Sequence, residues 1–108
     1  MDVIKEKVEE LRTVIEESAE YQNFLAARRQ VEQIPGLAEK IREFCWRNYE
    51  LQNIDGEDLY ERLEAFEAQF ESFRRDPVVA AYLERELRMC RMMQEIHARL
   101  IDIVEILI

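Results

Sequence analysis

The chain has 108 residues with 36% charged and 48% hydrophobic side chains and a formal net charge of −9. That length is one domain's worth, and the balance excludes both a disordered chain and a membrane-embedded one. The acidic excess argues against a nucleic-acid footprint or an anionic lipid surface as partner, since either calls for a basic face.

The sequence predicts helices almost throughout. Only two glycines and two prolines interrupt it, and apolar residues recur at helical spacing. In the first segment Ile4, Val8, Leu11 and Ile15 form one stripe. The N-terminus is amphipathic and acidic, with no continuous apolar core, so no signal peptide is expected. No apolar run approaches the roughly 20 residues that span a bilayer. With Cys45 and Cys90 far apart and in no metal or redox spacing, the chain reads as cytoplasmic.

Ser18 predicts a break near 17–18, because its hydroxyl can cap the next helix. The second helix carries Tyr21, Phe24, Leu25, Val31 and Ile34 and should stop near Gln33. Pro35 is poorly tolerated inside a helix but suits a first helical position, so a third helix is expected from about Pro35. Its stripe is Leu37, Ile41, Phe44, Cys45 and Leu51, with Trp46 and Tyr49 on an adjoining face. Asn53-Ile54-Asp55-Gly56 is the clearest loop. Helix four follows with Leu59, Leu63, Phe66, Phe70 and Phe73 on one narrow, aromatic side; its other side is polar. Asp76-Pro77 reads as an N-cap and first helical residue, and helix five should run unbroken from Pro77 to Ile108. The expected fold is all-α: about five helices, helix–Pro–helix breaks near 35 and 77, and a long C-terminal helix. Residues 1–108 should make a single all-helical domain within an oligomeric helical bundle. Superposing the prolines at an offset of 42 aligns Phe24 with Phe66 and Val31 with Phe73, as an internal duplication would. That offset is also six heptads, so helical register alone accounts for it, and register is the preferred reading.

Candidate chemistry is sparse. His97 is the one histidine, and Cys90 is seven residues before it on one helix face. That is about 10 Å along the axis at 1.5 Å per residue, too far for one metal within a chain. A packing stripe of Leu83, Cys90, His97 and Val104 is preferred. A site shared between subunits, drawing on Cys45, Cys90, His97 and inward glutamates, is the alternative: a metal-binding or redox bundle. Glu57, Asp58, Glu61, Glu64, Glu67 and Glu71 lie opposite the Phe stripe and read as a solvated face, with Glu71 pairing to Arg74 or Arg75. No Glu-x-x-His occurs, so a di-iron bundle lacks its ligands. Ser18, Ser72 and Thr13 have no base nearby in sequence, and there is no Gly-rich phosphate loop. Arg28-Arg29 and Arg74-Arg75 sit near helix ends, where the dipole favours cations. No enzyme activity, catalytic residue, cofactor or metal is expected, nor direct binding to nucleic acid or membrane.

The punctuation carries a resemblance. Glu17-Ser18-x-Glu20-Tyr21-x-x-Phe24, then Ala27-Arg28, Pro35-x-Leu37 and Ile41-x-x-Phe44, resembles the YlbF/YmcA-like family of small bacterial regulators. Asp76-Pro77-Val78-Val79-x-Ala81-Tyr82-Leu83 and Gln94-Glu95-Ile96 are similar to that family's C-terminal helix. The resemblance implies an all-α, oligomeric, cytoplasmic regulator without catalytic residues. It implies a place in heteromeric complexes that modulate an RNA-processing endonuclease and influence competence, sporulation and biofilm control. Some such complexes carry iron–sulfur clusters through a Cys-rich tail; the present sequence shows none after Ile108, and cluster binding is not expected.

The apolar C-terminus predicts self-association. Tyr82, Met89, Ile96 and Ile103 recur every seven residues, with Met93, Leu100 and Leu107 beside them and Val104 widening the seam. That is coiled-coil-like spacing. A helix from Pro77 to Ile108 would be about 48 Å long, overhanging a body of about 13 Å radius of gyration. These eight residues are therefore the expected interface of a homodimer or higher oligomer, with other regulatory proteins as further partners. The competing expectation is that helix one folds back over them.

Overall fold

The computed structural model describes residues 2–54 and 56–104. Asp55 of the predicted loop, and Ile106, Leu107 and Ile108 of the apolar C-terminus, lie outside the described residues. The elements in order are α1 (Asp2–Glu17), α2 (Ala19–Glu32), α3 (Leu37–Gln52), α4 (Leu59–Arg75) and α5 (Pro77–Ile101), with a closing 3₁₀ turn over Asp102–Val104. The all-α fold, its five helices and the long last helix are as expected.

The breaks follow from local chemistry. Ser18 is extended (φ −68°, ψ 154°), and its hydroxyl accepts from the Tyr21 N–H at 3.2 Å while donating to the Ile15 carbonyl at 2.6 Å. One residue thus ends α1 and caps α2. At the other proline, the Asp76 carboxylate accepts from the N–H groups of Val78 (2.9 Å) and Val79 (3.4 Å), with Pro77 in the first helical turn. Two of the donors that a helix start leaves unpaired are thereby met.

Pro35 behaves differently from expectation. α2 ends at Glu32, as predicted, but α3 begins at Leu37 rather than near Pro35. The Leu37 N–H donates to the Ile34 carbonyl at 3.2 Å, and Gly36 sits at φ 78°, ψ −7°. Proline at the second position and left-handed glycine at the third define a type II turn. The pair Pro-Gly therefore makes a turn, and α3 starts after it. Pro35 and Pro77 do different jobs, which favours shared register over duplication as the source of the repeat. α5 also departs from a single unbroken helix, since its last described turn tightens to 3₁₀ at Asp102.

The core is small and aromatic. Val31, Ile41, Phe44, Phe66, Phe70, Phe73 and Val79 form it, with Leu37, Ala38, Cys45, Leu51, Val78, Tyr82 and Leu83 packed around it. Phe44 of α3 is its centre: its ring lies 5.4, 5.3 and 5.5 Å from those of Phe66, Phe70 and Phe73 on α4. Spacing and tilts of this kind satisfy the ring quadrupoles as well as burying area. Arg47 donates to Gln69 across the α3–α4 pair at 3.0 Å. α2 runs antiparallel to the first half of α5: Phe24 stacks near Tyr82 at 5.8 Å, and Arg85 donates to the Asn23 carbonyl at 3.3 Å. Ala27, one turn along the same face, is 1% exposed. Its small side chain lets the two helices lie close.

Two segments project from this body. α1 has no buried residue, and its substantial contacts are with α2 at the Ser18 joint. On α5 the only buried residue is Val79, near its start. The result is a slab of 52 × 42 × 17 Å with a radius of gyration of 18.2 Å, against about 13 Å for a compact chain of this length.

Candidate interaction surface

The predicted interface residues fall into two groups. Tyr82 is half-buried, packed on Phe24 and the core. Met89 and Ile96 are also half-buried. Met93 (43%), Leu100 (58%), Ile103 (79%) and Val104 (64%) are exposed; Leu107 lies outside the described residues. Leu87 and Ile101, which the heptad reading did not single out, are exposed beside them. The seam thus begins inside the body at Tyr82 and becomes progressively uncovered toward the C-terminal end of α5.

Among the described residues α1 does not cover this seam. Val3, Ile4, Val8 and Val14 are 49–67% exposed. Of the stripe Ile4, Val8, Leu11 and Ile15, the first three are exposed among the described residues and Ile15 is half-buried. On the body, Trp46 and Tyr49 form a second exposed apolar feature, their rings stacked 5.8 Å apart.

Among the described residues the remaining candidate groups stand apart from one another. Cys90 and His97 are both exposed, so the expected packing stripe through Leu83, Cys90, His97 and Val104 holds only at Leu83. The reason is the reach of α5 beyond the body. Among the described residues no three His, Cys, Asp or Glu side chains cluster in a metal-holding arrangement. The α4 carboxylates face solvent, and Glu71 pairs with Arg75 at 2.8 Å. Arg74 lies over the Phe44 ring at 5.9 Å, and Lys40 over Phe73 at 5.1 Å, so two cations near the core act on its aromatic faces. A groove of about 260 Å³ opens between α2, α3 and α5, but its Arg28 is paired to Glu32 at 2.9 Å. Tyr82 lines it. Burial first, and then the Glu86 carboxylate, push the Tyr82 phenol up to about 12. The same two causes raise the Cys45 thiol. Both favour the neutral, unreactive form at neutral pH, which suits packing and not catalysis.

No described helix is long and apolar enough to cross a membrane. No curated protein and no solved structure matches the chain. The model of the family described as control of competence regulator ComK, YlbF/YmcA, matches residues 4–105, and the chain belongs to that family of regulators.

Proposed function

We propose that this protein is a non-enzymatic cytoplasmic regulator, a single all-helical domain that works through helix-to-helix contacts with other proteins and with itself. The observation that carries this reading is the pair of uncovered apolar faces on α1 and the C-terminal half of α5. Exposed apolar patches of this extent mark interaction surfaces, and membership of a regulatory family supplies the context. The protein's role is to hold partners together in a complex that modulates RNA processing and developmental control, competence foremost. Self-association runs along Met93, Leu100, Ile103 and Val104. Affinity capture from native extract tests the proposal, comparing the parent chain with Leu100→Glu plus Ile103→Glu. The parent should retain specific proteins that the variant loses. A parent chain that retains none would overturn it.

A further inference from the structure

We infer that α1 of each chain packs on the C-terminal half of α5 of a second copy, so that two chains close a four-helix bundle by exchanging their arms. The inference rests on the self-association proposed above and adds what the partner contributes to it.

The first observation is area. The chain exposes 9096 Å², against about 6,300 Å² for a compact monomer of 13.0 kDa. That excess, for one chain, is as large as one partner's half of the 2,000–5,000 Å² total typical of obligate dimers.

The second observation is spacing. Ile4, Val8, Leu11 and Ile15 step by four, three and four residues, as do Met89, Met93, Ile96 and Leu100. Four rungs on one helix therefore face four on the other in either relative direction, the matched seam that two coiled helices need. Among the described residues no side chain of α1 is fully buried within its own chain.

The third observation is charge. α1 carries six acidic and three basic side chains, whereas residues 89–104, the part of α5 and its closing turn beyond the body, carry two arginines against one glutamate and one aspartate. This stretch of α5 is therefore neutral, and α1 is acidic. Pairing α1 with a second α1 sets acid against acid. Pairing it with α5 of the partner does not, and a two-fold axis then satisfies all four arms at once.

Sedimentation at micromolar concentration tests this with two full-length variants, Ile4→Glu plus Val8→Glu and Met93→Glu plus Leu100→Glu. Each should raise the dimer dissociation constant about 100-fold or more and sediment as a monomer. Mixed, they should recover a dimer, because one of the two exchanged contacts then contains only native residues. Far-UV circular dichroism confirms retained helix, and the single Val8→Glu and Met93→Glu variants replace any double variant that loses it. An α1 variant that stays dimeric overturns the exchange while leaving association through α5 standing. So does a mixture that stays monomeric. A monomeric parent overturns both.

Discussion

Replacing Phe70 with alanine tests the centre of the fold. The ring is 3% exposed and lies 5.0 Å from Phe66, 5.3 Å from Phe44 and 5.8 Å from Phe73. Arg47 caps its face at 5.8 Å. Removing a buried phenylalanine costs about 3–5 kcal/mol in transfer and cavity terms. The surrounding helices have little freedom to collapse, because Phe44 is already shared with Phe66 and Phe73. Loss of the cation–π contact adds about 0.5–1 kcal/mol. Against the 5–15 kcal/mol typical of a whole domain, the variant should lose about a quarter or more of its stability. At about 4–8 °C per kcal/mol for a domain of this size, the thermal midpoint should fall by more than about 10 °C. The assay is thermal and urea unfolding by circular dichroism at one fixed concentration, because association stabilises the folded state by mass action. A variant melting within a few degrees of the parent would refute the burial described for this face.

Three further outcomes follow from local geometry. Asp76→Ala removes an acceptor from both Val78 and Val79 and should cost about 0.5–2 kcal/mol in urea unfolding, with Asp76→Ser recovering most of it. Gly36→Ala meets no atom within 4 Å but must hold φ near 78°, so it should cost about 1–2 kcal/mol in the same assay, and Gly36→Asn less. Tyr82 keeps its proton in the folded state up to about 12, above the ordinary phenol value of 10.0, so its contribution to stability is intact below pH 10 and is lost as pH rises from 10 to about 12. Ultraviolet phenolate titration of the parent minus Tyr82→Phe should show one late-titrating tyrosine; a difference curve centred near 10 would contradict the burial.

Much of the fold was legible because it is decided locally. Ser18 and Asp76 each meet their own backbone donors within three residues, and the Phe66, Phe70, Phe73 face follows from helical spacing alone. Pro35 was misplaced by two residues because its role depends on the residue after it: followed by valine, as at Pro77, proline begins a helix, and followed by glycine it turns the chain. Ala27 was overlooked because its burial reflects how closely two helices approach, which spacing does not encode. The interaction surface was half legible. The heptad of α5 identifies the seam, but it does not say that Tyr82 is spent on Phe24 within the chain. The stripe of α1 is equally consistent with covering its own α5 or another's, and that choice depends on where the Ser18 joint directs the helix.

The mass of the full-length chain in solution tests the central claim most directly. Multi-angle light scattering at micromolar concentration should give a dimer or higher oligomer of the 13.0 kDa chain, reduced to the monomer mass with helicity retained by Leu100→Glu plus Ile103→Glu. A parent chain already at the monomer mass, and unchanged by those substitutions, would contradict it.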